Sequence, residues 1–237
     1  MRKVFFAAVA ILFAATLFAQ DKKERQTIEG NGNLVTRDVA VSSFNELKAS
    51  GIYELRLLQG NTESVRIEAD ENLHELFLVS NEGSKLVIDM KKLENTNLKT
   101  KNKMRVYVTF KSLKDLDLST VGNVRSDEEL RFDELNLKNQ SVGNVNLKLT
   151  AKKIDIRNSS VGNVTLSGKA ENAFVKNSSV GSLEAGDFVV QTMDIDNNGI
   201  GSAEVHATKE LKVKDNIMSK VKNKGSGTVR KMNTVRI

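Results

Sequence analysis

The sequence predicts an all-β chain wound as a parallel β-helix, and three observations carry that prediction. A five-residue motif recurs as TVGNV (Thr120–Val124), SVGNV (Ser141–Val145), SVGNV (Ser160–Val164), SVGSL (Ser179–Leu183) and GIGSA (Gly199–Ala203). The residues in its second position, Val121, Val142, Val161, Val180, Ile200 and then Met218, lie 21, 19, 19, 20 and 18 residues apart, and a fixed period in this range marks a solenoid. Each copy also opens with an alternating apolar pair: Leu116/Leu118, Leu135/Leu137, Ile154/Ile156, Ala173/Val175, Met193/Ile195 and Leu211/Val213. That period of two reads as a strand. Finally, Asn139, Asn158, Asn177 and Asn197 each stand three residues before the motif's second position, with Asp215 in the last copy.

The elements of one repeat follow in order. The first strand runs to the Asn, a residue that bonds neighbouring backbone at corners and can form ladders with copies of itself. The motif glycines Gly122, Gly143, Gly162, Gly181 and Gly201 allow a bend or a close approach between coils. A second apolar strand follows, read as Val142, Val145, Leu147; Val161, Val164, Leu166; and Val180, Leu183, Ala185. Two short strands in 19 or 20 residues also describe a hairpin of a sandwich. Stacked coils place equivalent residues about 4.8 Å apart and so explain a recurring Asn, which a sandwich does not.

Between Asn33 and Phe110 the strands continue and the short period is lost, which predicts longer, irregular coils. Alternation marks Val39–Val41, Ile52–Leu58, Val65–Ala69, Leu86–Met90 and Arg105–Phe110, with one helical turn around Asn72–Phe77. Lys48–Tyr53 (KASGIY) is similar to the later corners, and Lys91–Asn102, polar and rich in Lys and Asn, reads as a mobile loop or a junction. The expected organisation is a signal peptide over 1–19, an N-terminal β-rich half over 20–110, and regular repeats with a basic end cap over 111–237.

Phe44–Gly60 (FNELKASGIYELRLLQG), Val65–Leu73 (VRIEADENL), Gly83–Ile88 and the Gly-punctuated repeats together resemble the head GIN domain family of autotransporter-adhesin type, typical of exported Bacteroidetes proteins. The resemblance covers nearly all of the chain from about Gly30 onward. It implies a right-handed β-helix of pectin-lyase-like shape, a proposed role in adhesion and no established catalytic residues.

Arg2 and Lys3 precede an apolar stretch from Val4 to Phe18, which has the length of a signal-peptide core and falls short of a membrane span. Removal of Met1–Ala19 leaves a mature chain expected to have no transmembrane segment and to act in the periplasm, at the outer-membrane surface or outside the cell. The chain contains no cysteine, which excludes thiol catalysis and cysteine metal sites. Its net charge is +6, or +4 without Arg2 and Lys3. From His206 to Ile237 nine Lys and Arg stand against Glu210 and Asp215. With no interleaved aromatics to stack bases, this run reads as lysine protection of an open strand edge, and no nucleic-acid partner is expected.

The chemistry of catalysis is sparse. Only His74 and His206 are present, in different halves, and Gly225–Gly227 (GSG) lacks the context of a nucleophile elbow. The outward first-strand column reads Asp117, Asn136, Asp155, Phe174, Asp194, Lys212, so a phenyl ring separates the two carboxylates that could form a glycosidase pair. No catalytic residue, metal ligand or cofactor is therefore assigned. Asn139, Asn158, Asn163 and Asn177 begin N-x-S/T triplets, which the repeat explains without a glycan. The outward second-strand positions, Asn144, Asn146, Asn163, Thr165, Ser182 and Glu184, form a polar face suited to sugar hydroxyls or a polar protein surface. The expected function is a noncatalytic exported binding protein of the cell envelope, an adhesin for carbohydrate or protein. The alternatives are a polysaccharide lyase or hydrolase and a purely structural envelope component, and nothing in the sequence sets the oligomeric state.

Overall fold

The computed structural model describes residues 26–216 and 220–232; the leader expected at Met1–Ala19 and the repeat position at Met218 lie outside them. The strands of the first half are β1 (Gln26–Glu29), β2 (Leu34–Val39), β3 (Glu46–Gly51), β4 (Glu54–Gln59), β5 (Ser64–Asp70), β6 (Phe77–Glu82), β7 (Lys85–Met90), β8 (Thr96–Lys99) and β9 (Arg105–Phe110), with a 3-10 turn at Glu71–Leu76. The second half supplies β10 (Asp115–Thr120), β11 (Val124–Ser126), β12 (Leu130–Asn139), β13 (Val145–Asn158), β14 (Val164–Asn177), β15 (Leu183–Asn197), β16 (Ala203–Asp215), β17 (Val221–Asn223) and β18 (Thr228–Lys231). They fall into two compact units. In the smaller, β1 and β8 pair in parallel, Gln26 opposite Thr96 and Glu29 opposite Lys99. Within Lys91–Asn102, expected as loop or junction, Thr96–Lys99 is therefore a strand.

The larger unit, Gly30–Lys91 with Thr100 onward, is a parallel β-helix of about six turns. Its rungs stack in register: Leu135, Ile154, Ala173, Met193 and Leu211 are successive partners, as are Val124, Val145, Val164, Leu183, Ala203 and Val221. The apolar pairs that open each repeat all point inward and are buried. In β13 the inward and outward positions alternate from Val145 to Ala151, reset at Lys152 and Lys153, which are both exposed, and resume at Ile154. One long strand thus turns a corner and forms two sides of a coil.

The period fails in the first half because the chain there stacks out of order. β3 pairs in parallel with both β7 and β10, and β4 with both β9 and β11. The segment Glu46–Gln59 is therefore a rung lodged between the rung of β7 and β9 and the rung of β10 and β11, both of which follow it in the chain. Gly51, in the corner-like KASGIY segment, lies opposite Thr120, so that segment is a coil corner. The open end of the stack is covered by antiparallel strands, with β6 on β7, β5 on β9 and β2 on β5. These strands end the edge that a parallel stack otherwise leaves unpaired. The β6 to β7 turn uses Gly83 at φ 62°.

Asp70 ties this end together. Its fully buried carboxylate accepts hydrogen bonds from the Asn102 side chain at 2.6 Å and from the Lys101 and Asn102 amides at 3.0 and 3.4 Å. Burial alone would raise its pKa, but the Asn102 and Lys101 hydrogen bonds outweigh that and hold it below the ordinary carboxylate value. A depressed folded-state pKa contributes stability above the unfolded value that is lost as pH falls through the folded value. Asp70→Asn is accordingly expected to lower the Tm near neutrality, with the deficit shrinking as thermal melts are taken to about pH 3.

One expectation is corrected by the coordinates. Val142, Val161 and Val180, read as members of the second strand, belong to the turn and are 54%, 55% and 55% exposed. The strand starts at Val145, Val164 and Leu183. Val145 follows Val142 by three positions, an odd step, so the two face opposite ways.

Candidate functional site

The corner is built from the inside outward. Asn139 donates its side-chain amide to Asn158 Oδ1 at 2.9 Å, Asn158 to Asn177 at 2.8 Å, and Asn177 to Asn197 at 2.7 Å, all four residues being buried. This ladder satisfies polar groups that would otherwise be stranded in the core, and it occupies the amide nitrogens of three of the N-x-S/T triplets. Beside it, buried hydroxyls close the turn: Thr120, Ser160 and Ser179 each donate to the carbonyl of the glycine two residues on, at 3.1, 3.1 and 2.9 Å. The glycines permit the close approach. A Cβ on Gly122, Gly143, Gly162, Gly181 or Gly201 would sit 2.2 to 2.5 Å from a carbonyl oxygen of the preceding coil.

A second, outer ladder uses residues expected to face a ligand. Asn123 Oδ1 accepts the Asn144 amide, Asn144 Oδ1 the Asn163 amide and Asn163 Oδ1 the Ser182 amide, each at 3.0 Å. The side-chain oxygens of Asn144 and Asn163 thus bind the next coil. Further along the same face, Thr165 donates to Glu184 at 3.2 Å and Ser202 to Ser182 at 3.0 Å. Of the six residues read as binding positions, Thr165 and Glu184 line an open cleft of about 390 Å³ with Ser202, Glu204, Asp187 and Lys224. Asn146 lies opposite Thr165 on the neighbouring coil but does not line the cleft, nor do Asn144, Asn163 and Ser182.

The first-strand face carries two further concavities. One of about 330 Å³ mixes signs, with Glu46 paired to Lys85 and Asp117 to Lys138, each at 3.2 Å. The other, of about 200 Å³, is lined by Lys138, Gln140, Arg157, Ser159, Lys176 and Ser178. The sequence places Arg157 and Lys176 near Asp194 and Asp196, as parts of a cross-coil salt-bridge column; with Lys138 they form a cationic column in which each cation stands immediately before a ladder Asn in its repeat. The carboxylates weighed as a glycosidase pair stay apart, since Asp155 and Asp194 flank Phe174 in register. Asp155 pairs with Arg157 and Asp196 with Lys214. His74 and His206 each face a backbone carbonyl, of Val35 and Gly186, at 3.0 Å. Among the described residues no cluster of His, Asp and Glu could hold a metal ion, and no helix is long and apolar enough to cross a membrane.

The basic C-terminal run folds back onto the last coils. Lys214 pairs with Asp196, Lys222 with Glu204, Lys224 with Asp187 and Arg230 with Glu210, and Lys209 bonds Gln191. Exposed pairs of this kind add little stability. They do place charge beside β17 and β18, the last strands paired to β16.

No functionally curated protein matches the chain. Its fold is shared by a protein of Bacteroides fragilis NCTC 9343 described as a "putative adhesin", 25% identical, with a TM-score of 0.73 over 86% of this chain and 100% of that one. A "putative lipid binding protein" of Parabacteroides distasonis ATCC 8503 shares the fold at 20% identity, with a TM-score of 0.62 over 88% of this chain and 100% of that one. A "putative adhesin" of Parabacteroides merdae ATCC 43184 does so at 22% identity and a TM-score of 0.52, again over 88% and 100%. The family model described as "Putative auto-transporter adhesin, head GIN domain" matches residues 43–227, which take in β3 to β17, and the chain belongs to that family.

Proposed function

We propose that the chain is a noncatalytic exported adhesin of the cell envelope that binds a carbohydrate or a protein through the polar lateral face of its β-helix. The observation that carries this reading is the in-register column. Each coil presents the same chemical position as the one below it, about 4.8 Å away, so a ligand that itself repeats can meet several equivalent groups at once. Such multivalent contact raises avidity without any single strong site. The face offers the Thr165, Glu184, Ser202 and Glu204 cleft and the exposed Asn146 beside it. The leader-like sequence of Met1–Ala19 and family membership support an exported, surface-acting role.

A glycan array probed with the chain freed of its leader tests this. Retention of unmodified glycans, weakened at least about tenfold in the double variant Thr165→Ala/Glu184→Gln, is the expected result. Release of shortened products from a pectin or glycosaminoglycan panel, abolished by Asp194→Asn, would replace the adhesin with a carbohydrate-active enzyme.

A further inference from the structure

Three exposed columns run side by side along the coil corner. Lys138, Arg157 and Lys176 are register partners on successive coils. Two residues after them come Gln140, Ser159 and Ser178, and two further on come Val142, Val161 and Val180. The aliphatic column continues at both ends through Val121 and Ile52 and through Ile200, with exposures from 49% at Ile52 to 58% at Ile200. Six consecutive rungs thus present a β-branched aliphatic side chain to solvent.

The fold does not require these aliphatics. The backbone amides of Val121, Val142, Val161, Val180 and Ile200 already bond carbonyls of the preceding coil at 2.9 to 3.1 Å. Threonine would meet the same β-branched preference at a half-exposed position. A continuous exposed apolar strip of this length marks an interaction surface.

Charge identifies its occupant. From Lys138 to Asn144, Arg157 to Asn163 and Lys176 to Ser182 there are three cations and no carboxylate. Directly opposed like charges repel one another; Asp117 and Asp196 bound this cation column in register, and the half-buried Asp117 and Asp155 pair with Lys138 and Arg157 only near the solvent, where such contacts are screened. A hydrated polyanion would satisfy the cations and leave the ridge wet. An apolar protein patch would cover the ridge and leave the cations unanswered. Anionic lipid answers both, with acyl chains against the valines and headgroups against the cations, the arrangement by which amphipathic surfaces settle at a membrane interface. We propose that this corner docks the protein lengthwise on an anionic lipid surface, independently of the lateral adhesive face.

Cosedimentation with vesicles of phosphatidylglycerol mixed with phosphatidylcholine, against phosphatidylcholine alone, tests the proposal on the leader-free chain. Binding to the anionic vesicles alone is expected, weakening with salt. The triple variant Val142→Thr/Val161→Thr/Val180→Thr should lose at least about tenfold in partition with its Tm unchanged. Lys138→Gln/Arg157→Gln/Lys176→Gln should abolish the salt dependence. The chain has no tryptophan, so Val161→Trp provides a single reporter whose emission should shift to the blue on anionic vesicles. The proposal is overturned by absent vesicle binding, by binding indifferent to the Thr triple variant, or by an unshifted reporter. Retention on an acidic polysaccharide that depends on the cations but not on the valines also overturns it.

Discussion

Gly162→Ala is expected to cost about 3 kcal/mol or more, enough to remove much of a domain's stability. The new Cβ would lie 2.3 Å from the Gly143 carbonyl oxygen, 2.6 Å from its carbon and 2.9 Å from the Val142 oxygen. All three are backbone atoms of the neighbouring coil, so no side-chain rotation relieves the clash and the coils must part. Gly83→Ala is the control. Its φ of 62° makes a side chain strained, but nothing stands within 4 Å of the added Cβ, and about 1 kcal/mol is expected. Urea titrations should show a fall in midpoint several-fold larger for Gly162→Ala than for Gly83→Ala. Equal shifts would mean that the glycine column serves flexibility and not close stacking.

Asn158→Leu is expected to cost about 1–3 kcal/mol by stranding a buried amide and breaking the ladder at its middle. The Asn139 side-chain amide loses its acceptor, with no water path at 1% exposure, while Asn177 Oδ1 loses one of two donors and keeps the Ser179 hydroxyl at 2.8 Å. Asn158→Asp separates these effects. A carboxylate still accepts from Asn139 but cannot donate to Asn177, and burial raises its pKa. With the folded-state pKa raised above the unfolded one, the penalty is absent at pH values below the unfolded pKa and grows as pH rises towards the folded pKa. Melting of Asn158→Asp should therefore approach wild type in acid and fall furthest behind above neutrality. A deficit independent of pH would deny the ladder its donor-to-acceptor direction.

The regular coils were legible because each rung repeats one chemical sentence. Asn158 recurs as Asn139 and Asn177 because a ladder needs identical partners, and Gly143 and Gly162 recur because each must pass the carbonyl of the glycine one coil before it. The outward aliphatics were misread for a physical reason: valine at a turn and valine in a core have the same hydropathy, and only the odd step from Val142 to Val145 distinguishes them. The first half was less legible because its order lies in long-range register. Leu47 partners both Leu86 and Leu116, and no local period reports that a later segment slides beneath an earlier one. The polar lateral face was visible as a pattern at Asn144 and Asn163. Their commitment of Oδ1 to the next coil was not, because it depends on the rung spacing.

The stack itself can be measured by spin-label distances, since the chain has no cysteine of its own. Glu134, Lys153, Asn172, Thr192, Glu210 and Thr228 occupy one column on successive rungs. Glu134→Cys paired in turn with Thr192→Cys, Glu210→Cys and Thr228→Cys should give separations of about 14, 19 and 24 Å, growing by one strand spacing per rung. Separations that fail to lengthen along this series, as antiparallel neighbours of a sandwich would give, would contradict the parallel β-helix.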